Sequence, residues 1–295
     1  MLRSSPASDL GVGQRRMKTI NCKNWAAAKA EIEKIRRRHQ YGAKGDEHGK
    51  HFWKNDILFR GHADADWGLE TTLERHSDME WHLWGYLHAA ADILPQIQSV
   101  FPADRKEVDR EEIERFCQQK ELAFHPPPLF PFLIYLRHHG FPSPLLDWTL
   151  SPWIAAHFAI STPAKSERRA IYAYCILGRR PEVVGNPIIH VIKGKVATHP
   201  RHFLQQSQYT YCTRYDKEEG CHIICPHTAV TTSNRSRRVR MYKVTFPSEE
   251  RLSILRELHD SNITDFSLFQ NEESLVRSLA VQELDLDYVY PPTTP

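Results

Sequence analysis

The chain has 295 residues, 41% hydrophobic and 25% charged, with a net charge of +3. That is ordinary for a globular protein and suits one domain with a large core. So small a net charge excludes a molecule that is basic overall and built to capture nucleic acid, although local patches remain open. No stretch approaches the ~18 apolar residues of a membrane helix, so no membrane partner is expected.

Residues 1–20 predict a flexible N-terminal tail, rich in Ser, Gly and Arg up to Met17 and without the apolar run of a secretory signal. Asn24 to Arg38 predicts a helix, with Asn24 as cap and Trp25, Ala28, Ile32 and Ile35 at helical spacing. Tyr41 to Asn55 is polar and predicts a loop. Ile57 to Phe59 predicts a buried strand ending at Arg60-Gly61. Two helices follow, over Ser77 to Leu94 and over Asp104 to Phe124, the second capped by Asp104 and ended by Pro126 to Pro128. Phe130 to His139 predicts a helix stopped by Gly140 and Pro142. Leu145 to Trp148 is a short segment, and Ser151-Pro152 opens a helix through Ile160. Strands are expected over Ala170 to Leu177, Pro187 to Ile192, Ser207 to Cys212, Cys221 to Cys225 and Val239 to Phe246. Ser248 to His259 predicts a helix capped by Ser248, and Leu275 to Ala280 a short last helix. Helices gather early and strands late, which predicts an α+β fold: a helical first half packed on a mainly antiparallel sheet.

The six cysteines are scattered and read as free thiols in a reducing compartment, so a cytoplasmic location is expected. Cys212, Cys221, His222, Cys225 and His227 invite a zinc reading. Cys221 and Cys225 on one strand would lie about 13 Å apart, too far for one tetrahedral ion. No metal is therefore expected.

Arg60 at the end of a buried strand needs a carboxylate, a carbonyl cluster or an anionic ligand, because an unpaired buried guanidinium is costly. Asp64, Asp66 and Asp147 are candidate partners in a purely structural salt bridge. Asp147 lies between an apolar pair and Trp148, and its expected partner is Arg60 or His138. The bland alternative for Asp147 is assistance at the start of the helix after Ser151. Arg235, Arg237 and Arg238, with Arg240 and Lys243 beyond, form a basic stripe that could contact phosphates as a nucleic-acid surface; a solvated loop is the commoner outcome.

Phe59-Arg60-Gly61 with Leu69 to Arg75, and the segment from His138 to Ala159, resemble the FRG family, named for that tripeptide. The second segment carries His138, Gly140, Pro142, Leu145, Leu146, Asp147, Trp148, Thr149, Ser151, Pro152, Ala156, Phe158 and Ala159 in register with the family pattern. It departs at Ser143-Pro144, where the family tends to have Thr-Arg, so any anion-binding role of that Arg is absent or moved to Arg137. Arg201 to Thr210 supplies a third similar piece, with Gln205 and Tyr209. The resemblance runs from about residue 25 to 280 and implies a single FRG-type domain over 21–290.

The family's layout is similar to that of ADP-ribosyltransferases, which implies a split sheet and NAD as substrate. On that resemblance Arg60 and Gly61 hold the pyrophosphate or ribose, and His138, Trp148 or Tyr209 line the ring. Asp147 joins Arg60 in the catalytic group, and Gln205 takes the place of the acid motif. A Gln can orient a ribose but cannot act as a base; Glu218, Glu219, Glu272 and Glu273 are the alternative acids. The implied activity is ADP-ribosyl transfer to a macromolecule, RNA, DNA or protein, in a bacterial toxin or antiphage effector restrained by an antitoxin. The rival readings are a non-catalytic nucleotide- or nucleic-acid-binding module and a nuclease using His138, Asp147 and Arg60.

Overall fold

The structure, a computed structural model, describes residues 17–40, 56–102, 108–122, 126–162, 166–176, 185–192, 200–232 and 239–286. The chain runs through β1 (Met17–Asn21), α1 (Trp25–Gln40), β2 (Ile57–His62), α2 (Thr72–His76), α3 (Leu83–Val100), α4 (Arg110–Cys117) and α5 (Phe130–His138). It continues with β3 (Leu146–Thr149), α6 (Pro152–Ile160), β4 (Arg168–Ile176), β5 (Ile188–Ile192), α7 (Arg201–Leu204), β6 (Ser207–Asp216) and β7 (Cys221–Ile224). The last elements are α8 (Ala229–Thr232), β8 (Val239–Pro247), α9 (Arg251–Asp260), α10 (Asp265–Phe269) and α11 (Glu272–Ala280). Among the described residues no helix is long and apolar enough to cross a membrane.

Local chemistry sets most of these boundaries. Asn24 Oδ1 accepts from the Ala27 amide at 2.9 Å, and Trp25, Ala28, Ile32 and Ile35 bury one face of α1. Thr71 and Glu74 close a capping box at α2, an element the sequence reading passed over. Ser151 caps α6, with Pro152 at its first position.

Four expectations are corrected. Residues 17–20 of the expected tail lie in β1, which pairs in parallel with β8 from Met17↔Met241 to Asn21↔Thr245. The helix expected from Ser77 starts only at Leu83, because the Trp81 carbonyl accepts from the Ile224 amide at 2.8 Å and His82 bridges to Ile223, holding the segment extended. That helix also runs on through Pro95 to Val100, with Leu94 still in the core. Asp109, not Asp104, caps α4; Asp104 lies outside the described residues. Ser248 opens a short 3-10 turn and does not cap, since its hydroxyl oxygen accepts no amide there; Glu250 is the residue before α9.

The eight-stranded sheet has the order β1-β8-β4-β2-β3-β6-β5, with β7 pairing beyond β3 on β6. Every pair is antiparallel except β1–β8. Its two halves meet at β2 and β3, which share one register pair, Phe59↔Thr149. Alternate residues separate two faces. On one face Ile57 and Phe59 pack under α1, α6 and α9, while Tyr209 and Tyr211 pack under α3, α4 and α5. On the other, Leu58, Leu146, Trp148, Tyr172, Tyr174 and Met241 form a third cluster with Ala65, Leu69 and Val230.

Gly61 is where β2 meets α6. A Cβ built there would lie 1.9 Å from the Ala155 carbonyl oxygen and 2.6 Å from the Ala159 amide nitrogen, both main-chain atoms. The fully buried Ala155, Ala156 and Ala159 complete this close approach. Gly61→Ala is expected to destabilise the protein by about 2–3 kcal/mol, since backbone must move to admit one methyl. Urea unfolding with an unchanged midpoint would show that α6 does not depend on this contact.

Candidate functional site

After Phe59↔Thr149 the strands β2 and β3 part, and the Arg60 side chain occupies the seam. Its Nη1 donates to the Asp147 main-chain carbonyl at 2.8 Å, and its Nε donates to His62 Nε2 at 3.0 Å. Accepting that bond requires a neutral ring. Burial, then the Arg60 charge, holds His62 down to about 3. Burial also lowers Arg60, to about 10, against the opposing pull of Asp147, so the guanidinium stays charged at neutral pH.

The Asp147 carboxylate is not bound by Arg60. Arg137, at the end of α5, takes both oxygens: Nε donates to Oδ1 at 2.6 Å and Nη2 donates to Oδ2. The expectation that Arg60 or His138 would be the partner is corrected to Arg137, because β3 turns the Asp147 side chain toward α5 and only its carbonyl toward Arg60. The Arg137 side chain is 10% exposed and that of Asp147 41%. Desolvation works to raise the Asp147 carboxyl. Arg137 first, then Arg60 and His138, outweigh it and hold the group below its ordinary range. Arg137 Nη1 is buried with no hydrogen-bond partner. Arg60 forms no ion pair with a carboxylate among the described residues; Asp64 instead caps the local turn through the Asp66 amide at 2.8 Å.

Tyr209 lies opposite Asp147 on β6, in register. Its hydroxyl is 3.0 Å from His202 Nδ1 and 3.4 Å from the Nε2 of the exposed His138. His138 and Tyr209 thus come together as expected, joined by His202 of α7, which the sequence reading did not single out. Trp67 also lies beside Arg60 and His62, a position its sequence context did not reveal. It is 56% exposed, lies 6.2 Å from the His62 ring, and is anchored where its carbonyl accepts from the Tyr172 hydroxyl at 2.9 Å. Nearness to Phe59-Arg60-Gly61 was the available signal.

Other expected site residues fall elsewhere. Trp148 is buried on the face opposite the Asp147 carboxylate, donating to Thr210 Oγ1 at 2.7 Å and packing on Tyr174. It is core, because one step along a strand reverses the face. Gln205 follows α7 and donates from Nε2 to the Leu268 carbonyl at 3.2 Å, joining α7 to α10 and not reaching Arg60. Glu218 and Glu219 belong to the exposed β6–β7 turn, and Glu273 pairs with Arg277 on α11. Arg235, Arg237 and Arg238 lie outside the described residues. Cys212 and Cys225 approach each other with sulfurs 3.4 Å apart, and His227 is bonded to Thr210.

Residues 55–168 match the FRG domain, the span that holds Phe59-Arg60-Gly61, Arg137 and Asp147. The match supports the FRG family. No curated protein and no solved structure matches the chain.

Asp147 is lowered in the folded state, so its ion pair stabilises above the unfolded carboxylate range of ~4 and is lost as pH falls through the lowered value. Asp147→Asn should reduce stability by about 1 kcal/mol near neutral pH, the half-exposed carboxylate being partly screened. The gap from wild type should close as pH falls through that lowered value. Urea midpoints that differ equally across that range would contradict the pairing. Gln205→Glu places a carboxylate against the Leu268 carbonyl and should lower stability by about 1 kcal/mol; a thermal-unfolding midpoint at or above wild type would refute that contact.

Proposed function

We propose that the seam between β2 and β3 binds the pyrophosphate of NAD and that the domain transfers ADP-ribose to a macromolecule, nucleic acid or protein. One observation carries the reading: two guanidinium groups meet at Asp147, Arg60 on its main-chain carbonyl and Arg137 on its carboxylate, and Arg137 Nη1 is buried without a hydrogen-bond partner. An unsatisfied buried donor costs about 1–3 kcal/mol. An anion set between Arg60 and Arg137 would remove that cost and balance the excess charge. Arginine suits a pyrophosphate because its planar fork matches phosphate oxygens. Trp67 offers a face for a base or the nicotinamide ring, and His138 and His202 border the far side.

In the transfer, the bond from ribose C1′ to nicotinamide nitrogen breaks and nicotinamide leaves neutral. Positive charge builds on the ribose, and the acceptor forms the new C1′ bond and loses its proton. Asp147, held ionised by Arg137 yet half exposed, supplies the opposing negative charge. Such an activity would suit a toxin or antiphage effector, with an antitoxin as its restraint. A second reading, a nucleotide-binding module without chemistry, is favoured by one feature: both Asp147 oxygens are engaged by Arg137, and Gln205 is turned to Leu268.

Incubation of the protein with labelled NAD and cell lysate, followed by separation of protein, RNA and DNA, tests the proposal. Wild type should label one fraction, and Arg60→Ala and Arg60→Lys should both cut labelling by at least about tenfold, since the fork geometry matters beyond the charge. NAD binding by calorimetry without label transfer selects the binding module. A well-folded protein that binds no NAD removes the enzyme reading and leaves a module for another nucleotide or for nucleic acid as the better account.

A further inference from the structure

On the outer end of the β6–β7 hairpin, away from the seam, a second cluster of chemistry-bearing side chains assembles. His82 Nε2 lies 3.1 Å from Glu219 Oε2, and the Cys221 thiol lies 3.6 Å from the same oxygen. One ligand atom from each of the three residues falls within 4.8 Å of the others. We infer that His82, Glu219 and Cys221 form a divalent-metal site of the zinc class.

The geometry fits a tetrahedral ion. Bonds of ~2.0 Å to nitrogen and oxygen and ~2.3 Å to sulfur place neighbouring ligand atoms about 3.3–3.5 Å apart. The observed nitrogen–oxygen and sulfur–oxygen separations bracket that spacing. A thiolate with an imidazole selects zinc, or cobalt as its substitute, over magnesium or calcium, which take oxygen ligands. Three protein ligands leave a fourth position for water or an exogenous donor.

Main-chain contacts hold the three positions. His82 is bridged to Ile223 of β7, and the Ile224 amide donates to the Trp81 carbonyl at 2.8 Å. The turn carrying Glu219 is fixed by Asp216 Oδ1, which accepts from the Glu218 and Glu219 amides at 2.9 and 3.2 Å. Cys221 starts β7, opposite Asp216 in register. The site therefore clamps the hairpin to the start of α3, two segments about 140 residues apart in sequence. A surface ion pair of His82 with Glu219 explains two of the three groups but not the thiol directed at the same oxygen.

This inference reverses the expectation of no metal, although the strand-spacing argument still separates Cys221 from Cys225. Cobalt(II) titration of the full chain, followed by zinc displacement, distinguishes the cases. Wild type should bind one cobalt per chain with a sulfur-to-cobalt charge-transfer band, bleached by zinc. Cys221→Ser should lose the band and weaken binding by at least about tenfold, given that even outer-sphere partners are worth that much. Cys225→Ser should keep it. The proposal is overturned if folded wild type gives no thiolate band, if the band survives Cys221→Ser, or if it vanishes in Cys225→Ser, which would place the metal at the Cys212–Cys225 pair.

Discussion

The hydrogen bond from Arg60 to the Asp147 carbonyl holds the seam on which the rest of the site depends. A sheet normally joins its halves by a ladder of main-chain bonds. Here the ladder between β2 and β3 ends after Phe59↔Thr149, and a side chain carries the connection onward. The opening is what lets polar chemistry exist inside an otherwise apolar fold. It also explains the three successive residues by position. Phe59 packs beneath α6 and closes the last rung, Arg60 spans the gap, and Gly61 admits the backbone of α6. Each demand excludes the neighbouring residue's type.

Charge balance follows from that placement. Burial opposes every ionised group at the seam, yet Asp147 and Arg137 shift toward their charged forms because they face each other in a two-point ion pair. His62 is held neutral and so accepts from Arg60 without adding charge. The sum is a surplus of positive charge in a low-dielectric setting, where an incoming anion gains more than it would at the protein surface. Among the described residues, pairing Asp147 with Arg137 leaves Arg60 without a carboxylate of its own, which favours the proposed ligand site over a structural salt bridge.

The sequence carried much of this. Helix caps at Asn24 and Ser151, the apolar period of α1 and the run before Arg60 were legible because their causes are local. The FRG resemblance implied a pocket of Arg60, His138, Trp148, Gln205 and Tyr209, of which the structure joins His138 to Tyr209 and sets Arg60 on the Asp147 carbonyl. What escaped was set by tertiary contact. Trp148 and Asp147 are adjacent in sequence but face opposite sides of the sheet, and only strand register decides which side is core. Gln205 sits in a motif, yet its amide is taken by α10, whose position no local pattern gives. His82 and Glu219 carry no signal in sequence, since the hairpin must fold onto α3 before they meet Cys221. Strand β1 was hidden because a short polar edge strand, MKTIN, lacks the apolar alternation that marks a strand.

In the proposed reading the seam binds a ligand through its phosphates. Calorimetric titration of the folded chain with ADP-ribose and with adenosine, repeated at rising salt, tests it most directly. ADP-ribose should bind at least about tenfold more tightly than adenosine, because charge-assisted bonds to arginine dominate. Its affinity should fall as salt screens the pair, while that of adenosine should barely change. Equal affinities for the two, or binding of ADP-ribose that is indifferent to salt, would contradict the account.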